Sequence, residues 1–188
     1  MPISSSINDL QTVFDVVANN LPAAGVECLL VGGFAVNHYG YTRSTLDVDL
    51  MIVAEQKERV RQVMMQAGFT NVATHENVTF FNRSGSPLRI DFLNTDGATM
   101  TKMLERAAWS EFCSQRVRVP ALTDLLAMKL FALSQAPGQR MEKDLPDIAW
   151  LAVVNGLDAE KDLHPLALRF ANEAVFRRVR EKIEEVLK

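Results

Sequence analysis

Cysteine is nearly missing from this chain. Cys28 and Cys113 are the only two in 188 residues. They form neither the paired spacing of a zinc site nor a disulfide framework, so the expectation is a reduced, cytoplasmic setting with both thiols in the core. Long apolar runs are missing too. None reaches the ~18 residues that suggest a membrane span. The start, MPISSSINDL, lacks the basic end and apolar stretch of a signal peptide. A soluble protein with no membrane partner is expected. Basic charge is not in excess either: the net charge is −3 and the pI about 5.6. This excludes a protein that blankets nucleic acid with positive charge, but leaves a local basic patch open. Histidine is scarce, at three residues. His38 is read first as a structural hydrogen bonder, and His75 and His164 as surface or capping residues.

What the chain does have is apolar residues, 48% of the total, enough for one domain or a domain with a helical extension. A first helix, capped by Ser6 or Asn8, carries Leu10, Val13, Phe14, Val17 and Leu21 on one stripe and ends at Pro22 and Gly25. Strands are expected at Val26–Val31 and Thr45–Val53, with a short helix, Phe34–Tyr39, between them. A helix over Glu55–Ala67 precedes two strands, Val78–Asn82 and Leu88–Leu93. The turn-rich Arg83-Ser84-Gly85-Ser86-Pro87 link makes these a hairpin. A helix over Thr99–Ala108 and a strand at Arg116–Val119 follow, and beyond Pro120 only helical patterns remain. The fold class is thus α+β: a mixed β-sheet core with flanking helices over residues 1–119, then a helical C-terminal half over 120–188.

One stretch, residues 29–53, LLVGGFAVNHYGYTRSTLDVDLMIV, carries the chemistry. Asp47 and Asp49 interrupt an apolar, β-branched run. At i and i+2 of a strand they face the same side, about 7 Å apart at Cα by strand rise. Buried carboxylates are costly without a counter-charge. The plain alternative is a pair of strand-end acids capping a turn. With no cysteine or histidine cluster, oxygen ligands suit Mg²⁺ or Mn²⁺, completed by water and substrate phosphates. Asp91, in LRIDFL, is the candidate third carboxylate, either a second metal ligand and proton acceptor or a buried salt-bridge partner. Asp96 reads as a turn residue. Three such acids could hold metals for in-line phosphoryl or nucleotidyl transfer.

Gly32–Gly33 stands where a strand gives way to a helix. Lacking Cβ atoms, it lets backbone N–H groups approach a phosphate. VGGFAVNHYG is not G-x-G-x-x-G, so no dinucleotide fold is read. Thirteen residues separate Gly33 from Asp47. The fork of Arg43 suits oxyanions, but could equally pair with Asp47 or an exposed acid. Lys129, between Met128 and Leu130, reads as a lysine snorkelling at the edge of an apolar face. Arg140, Lys143, Asp144 and Asp147 read mostly as a solvated first turn, with Asp144 able to pair with Lys129 or Arg140.

Apolar residue, Gly-Gly, spacer and D-h-D-h together resemble the signature of the DNA polymerase β-like nucleotidyltransferase superfamily. The form G-G-F-A…H-x-G…R-x-T-x-D-V-D is most similar to small bacterial members: abortive-infection-type toxins, minimal nucleotidyltransferases and antibiotic nucleotidyltransferases. The later DLLAMKLFAL…R…KD…D resembles the helical half of the toxin group, so the resemblance spans residues 26–152. It implies that Asp47 and Asp49 are the metal-binding pair and Asp91 the third catalytic carboxylate. Gly32 and Gly33 match the phosphate-cradling turn, with Arg43, Thr45 and Lys129 among the nucleotide-binding residues. Phe34 stands where many members have a serine near this turn, which removes a hydroxyl contact to phosphate. The implied activity is Mg²⁺-dependent transfer of an NMP group from an NTP co-substrate to an acceptor hydroxyl. RNA (a tRNA end among them), a protein and an antibiotic-like small molecule all remain open as acceptor. The resemblance also allows a homodimer, a toxin with a cognate antitoxin, and a catalytically silent binding module or antitoxin-type partner protein. A metal-dependent phosphohydrolase is the remaining alternative for D-x-D.

Overall fold

The computed structural model describes residues 3–188; of these, the side chains of residues 3–8, 71, 72, 137 and 139 lie outside the description. The chain divides into two compact units, one of residues up to Ala35 with Ser44–Ala121, the other of Val36–Arg43 with Leu122–Lys188.

The first unit opens with α1 (Ile3–Asp15), a wider turn over Val16–Asn20 and α2 (Leu21–Ala23). The helix starts upstream of Ser6 and Asn8, whose side chains as caps lie outside the described residues. Strand β1 (Cys28–Leu30) leads into α3 (Gly32–His38), within which the division between the units falls. Then come β2 (Asp47–Val53), α4 (Lys57–Gln66), β3 (Thr70–Thr74), β4 (Val78–Asn82), β5 (Arg89–Thr95), α5 (Gly97–Arg106), β6 (Ala108–Phe112) and β7 (Gln115–Val119). The main sheet has the order β1-β2-β5-β4-β3. The central pair β2–β5 is parallel and its other neighbours antiparallel. The expected β4–β5 hairpin forms.

Two strands were not expected. β3 adds an edge to β4, with a register shift between Asn71 and Ala73. β6 begins at Ala108, the last residue of the expected helix, and pairs with β7 through the two-residue loop Cys113-Ser114, both at positive φ. Val48, Leu50, Ile52, Ile90 and Phe92 are fully buried, so the inner face of β2 and β5 fixes the register by hydrophobic burial. Phe14, Phe34 and Phe112 pack ring to ring at 5.3–5.5 Å. Cys113 is half-buried rather than a core residue, whereas Cys28, though partly exposed as a residue, has its thiol pushed up to about 12 by burial.

The second unit holds the end of α3 and the loop after it, with α6 (Leu122–Gln135), α7 (Pro137–Arg140), α8 (Asp144–Val154), α9 (His164–Phe170) and α10 (Glu173–Val186). Leu126, Leu130 and Leu133 of α6, Ile148 and Leu151 of α8, and Phe176 and Val179 of α10 are buried. Among the described residues no helix is long and apolar enough to cross a membrane.

Candidate active site

Strand pairing brings Asp91 of the first unit onto the face that Asp47 and Asp49 share. In the parallel β2–β5 ladder Asp49 stands opposite Asp91, and Asp47 opposite Arg89. On the other side of β5, Phe80 faces Asp91 and Asn82 faces Arg89. Because paired residues share a face, two rows cross the sheet: Asp49-Asp91-Phe80 and Asp47-Arg89-Asn82. The intervening Val48 and Ile90 point to the opposite, fully buried face.

Asp91 is buried, at 6% exposure, whereas the Asp47 side chain is 27% exposed. Burial pushes the Asp91 carboxyl up to about 6. The Arg89 hydrogen bond and charge oppose that rise, and the negative charges of Asp49 and Asp47 add to it. The Arg89 guanidinium spans the two strands: its Nε donates to Asp91 Oδ1 at 2.9 Å and its Nη2 to Asp47 Oδ2 at 3.2 Å. Sequence reasoning missed this residue. Its signal was present, since Arg89 lies two before Asp91 and therefore on the same strand face.

The glycine pair is shaped by the same acids. Val31 N–H donates to the Asp49 carbonyl at 2.8 Å, which lays the end of β1 along β2. The next residue, Gly32, has φ +62°, and a Cβ there would overlap the Asp49 carboxylate. Only glycine meets both demands. A Cβ on Gly33 would fall 2.7 Å from Thr45 Oγ1, and that hydroxyl donates to the Asp47 carbonyl at 3.2 Å. Thr45 thus links the turn to the start of β2.

Arg43 and Lys129 belong to the second unit. Arg43 pairs with Asp147: Nε to Oδ1 at 2.7 Å and Nη2 to Oδ2 at 2.9 Å. Lys129, only 5% exposed, donates to Asp147 Oδ2 at 2.7 Å and Asp144 Oδ1 at 2.9 Å. Arg140 reaches Asp144 at 3.4 Å. Asp144 and Asp147 are 3% and 1% exposed, so the expected solvated turn is instead a buried ion network. Asn37 braces the Arg43 backbone from both sides, its amide donating to the Arg43 carbonyl at 3.1 Å and its Oδ1 accepting from the Arg43 N–H at 3.0 Å. His38 packs edge-on against Tyr39 at 4.8 Å, and burial lowers its pKa. Asp96, the expected turn residue, caps α5 by accepting from Thr99 N–H at 2.9 Å.

The donor set of the first unit fits a hard divalent cation. It is oxygen-only, it combines three carboxylates from two paired strands, and the Arg89 guanidinium sets one positive charge against the two carboxylates it bonds. Even so, no three acid, histidine or cysteine side chains among the described residues converge closely enough to form a ready cation cluster.

A profile of the nucleotidyl transferase AbiEii toxin family, type IV toxin–antitoxin system, matches residues 16–187. Solved structures share the fold at low identity. The antibiotic-resistance factor ANT(2'')-Ia is 13% identical, with 97% of this chain and 98% of that one covered at a TM-score of 0.66. The lincosamide antibiotic adenylyltransferase LnuA, solved with lincomycin bound, is 14% identical over 77% and 96% of the two chains, at 0.55. A CCA-adding enzyme in complex with ATP is 13% identical, with 96% of this chain covering 48% of that one, at 0.52. No curated protein sequence matches the chain significantly.

Proposed function

This chain belongs to the AbiEii nucleotidyl transferase toxin family, and from that premise we propose that it moves an NMP group from a nucleoside triphosphate to an acceptor hydroxyl with the help of Mg²⁺ or Mn²⁺. The observation that carries this reading is the in-register pair Asp49–Asp91, with Asp47 on the same face and the carboxylate of Asp49 against Gly32. Asp47, Asp49 and Asp91 would hold the cation, which when bound neutralises the triphosphate and stabilises charge on its oxygens. Gly32 and Gly33 leave backbone room for the phosphates, and Thr45 keeps the turn and β2 together. Asp91, whose burial makes it a better proton acceptor than an exposed aspartate, takes the proton of the acceptor hydroxyl. The acceptor oxygen bonds to the α-phosphorus, the α–β anhydride bond breaks and pyrophosphate leaves. For Arg43 and Lys129 a triphosphate contact is proposed on the resemblance alone, since within their own unit both are held by Asp147.

The acceptor is proposed as RNA, a protein or a small molecule. The neighbouring structures include an adenylyltransferase solved with lincomycin bound and a CCA-adding enzyme solved with ATP. The family description makes a cognate antitoxin a proposed partner, and the cytoplasm, where triphosphates are plentiful, the proposed setting. The test is incubation with α-labelled NTPs, cell extract and Mg²⁺ or Mn²⁺, then separation of labelled RNA, protein and small molecules. Label on one class, lost with Asp47→Ala/Asp49→Ala, supports the reading and names the acceptor. Equal labelling by the double variant sinks it.

A further inference from the structure

We propose that Arg89 is a latch on the carboxylate group: it competes with the divalent cation for Asp47 and Asp91, and the cation loads by displacing it. This rests on the reading of the three acids as a cation site. One guanidinium bridges carboxylates from two strands, at 2.9 Å to Asp91 and 3.2 Å to Asp47. Those oxygens are the ones a cation needs, and two cations sharing them repel each other. The bridge also accounts for acids that share one face of two strands yet do not converge as a cation cluster: two of the three are turned onto Arg89.

The side chain is built to leave. It is 52% exposed, against 8% for Asp91, so its departure opens no void in the core. An alternative seat adjoins it. The guanidinium carbon already lies 5.5 Å from the centre of the Phe80 ring, within cation–π range. A cavity of about 290 Å³, lined by Phe80, Asn82, Ser86, Pro87, Leu88 and Arg89, gives it room. Each ion pair at this exposure is weak, which suits a group that must exchange with a cation.

The experiment is Mg²⁺ titration of the full chain by calorimetry, for wild type, Arg89→Gln and Arg89→Lys. It is paired with ¹⁵N NMR of the arginine Nε–H groups, the Arg89 signal being assigned by its loss in Arg89→Lys. The latch predicts roughly five- to ten-fold tighter Mg²⁺ binding by Arg89→Gln. Arg89→Lys, which keeps the charge but loses the fork, falls between the two. The wild-type Arg89 signal moves in step with Mg²⁺ saturation. Unchanged or weaker binding by Arg89→Gln overturns the latch. So does tightening in Arg89→Gln with Arg89→Lys equal to wild type, which makes the effect one of distant charge. If no protein of the series binds Mg²⁺ or Mn²⁺, the cation reading of the three acids fails, and the latch with it.

Discussion

The molecule contains two groups of aspartates tied to basic side chains, one in each unit, and they are built in opposite ways. On the sheet of the first unit Asp47, Asp49 and Asp91 share one face, and the Arg89 guanidinium, which is half exposed, bonds two of them, Asp47 and Asp91. In the second unit Asp144 and Asp147 meet three cations, Lys129, Arg43 and Arg140, and both acids are almost wholly buried. The first group sets one guanidinium against the two carboxylates it bonds and has solvent access. The second has every carboxylate oxygen engaged. An excess of negative charge beside water attracts an exchangeable cation, whereas a buried, paired network resists the removal of any member, because the partner left behind is an uncompensated charge. The same residue type therefore stands in an exchangeable setting in one place and in a cohesive one in the other.

Substitutions separate the two. The largest effect is expected on catalysis at the first group. Asp91→Asn should slow label transfer by about 10²–10⁴-fold, the usual contribution of a positioned base, without lowering the urea midpoint, because it removes a carboxylate whose charged form burial, Asp49 and Asp47 disfavour by more than the Arg89 bond favours it. Asp147→Ala should do the reverse. Loss of one member of a buried ion network costs about 3–5 kcal/mol, readable as a fall in unfolding free energy in urea. Gly32→Ala comes next. It forces a left-handed backbone on a residue with Cβ and displaces Asp49, which should cost about 1–3 kcal/mol and weaken Mg²⁺ binding in the same protein. Arg43→Lys should show the smallest change. It keeps the charge but not the two-pronged bond to Asp147, for about 1 kcal/mol in the same urea assay. If Asp91→Asn and Asp147→Ala destabilise equally, the contrast between the two groups is wrong.

The legible parts of this molecule are those with a local signal. The acids of β2 and β5 stand out because apolar neighbours at i±1 mark a strand with one buried face. The turn-rich link from Arg83 to Pro87 marks the hairpin. What was not legible depends on long-range pairing. β3, TNVAT, is short and polar, an edge strand that lacks the alternation of a core strand. β6 was hidden because its loop, Cys113-Ser114, adopts positive φ without the glycine or asparagine that usually signals such a hairpin. The pairing of Asp144 with Lys129 and Arg140 was open to the sequence and forms. The Arg43–Asp147 pair joins segments far apart in the chain, so Asp147 looked like part of a solvated helix start, and nothing local contradicts that reading. Arg89 is the instructive case: period-two alternation places it beside Asp91, but its reach to Asp47 appears only once β2 and β5 are known to be in register.

The central claim is that the acid excess on β2 and β5 holds the cation on which nucleotide binding depends. Calorimetric titration of NTPs into wild type and Asp47→Ala/Asp49→Ala, each with and without Mg²⁺, tests it most directly. Wild type should bind nucleotide far more tightly with Mg²⁺ than without, and the double variant should remain folded and lose that dependence. Equal Mg²⁺-dependent binding by both proteins would contradict the account.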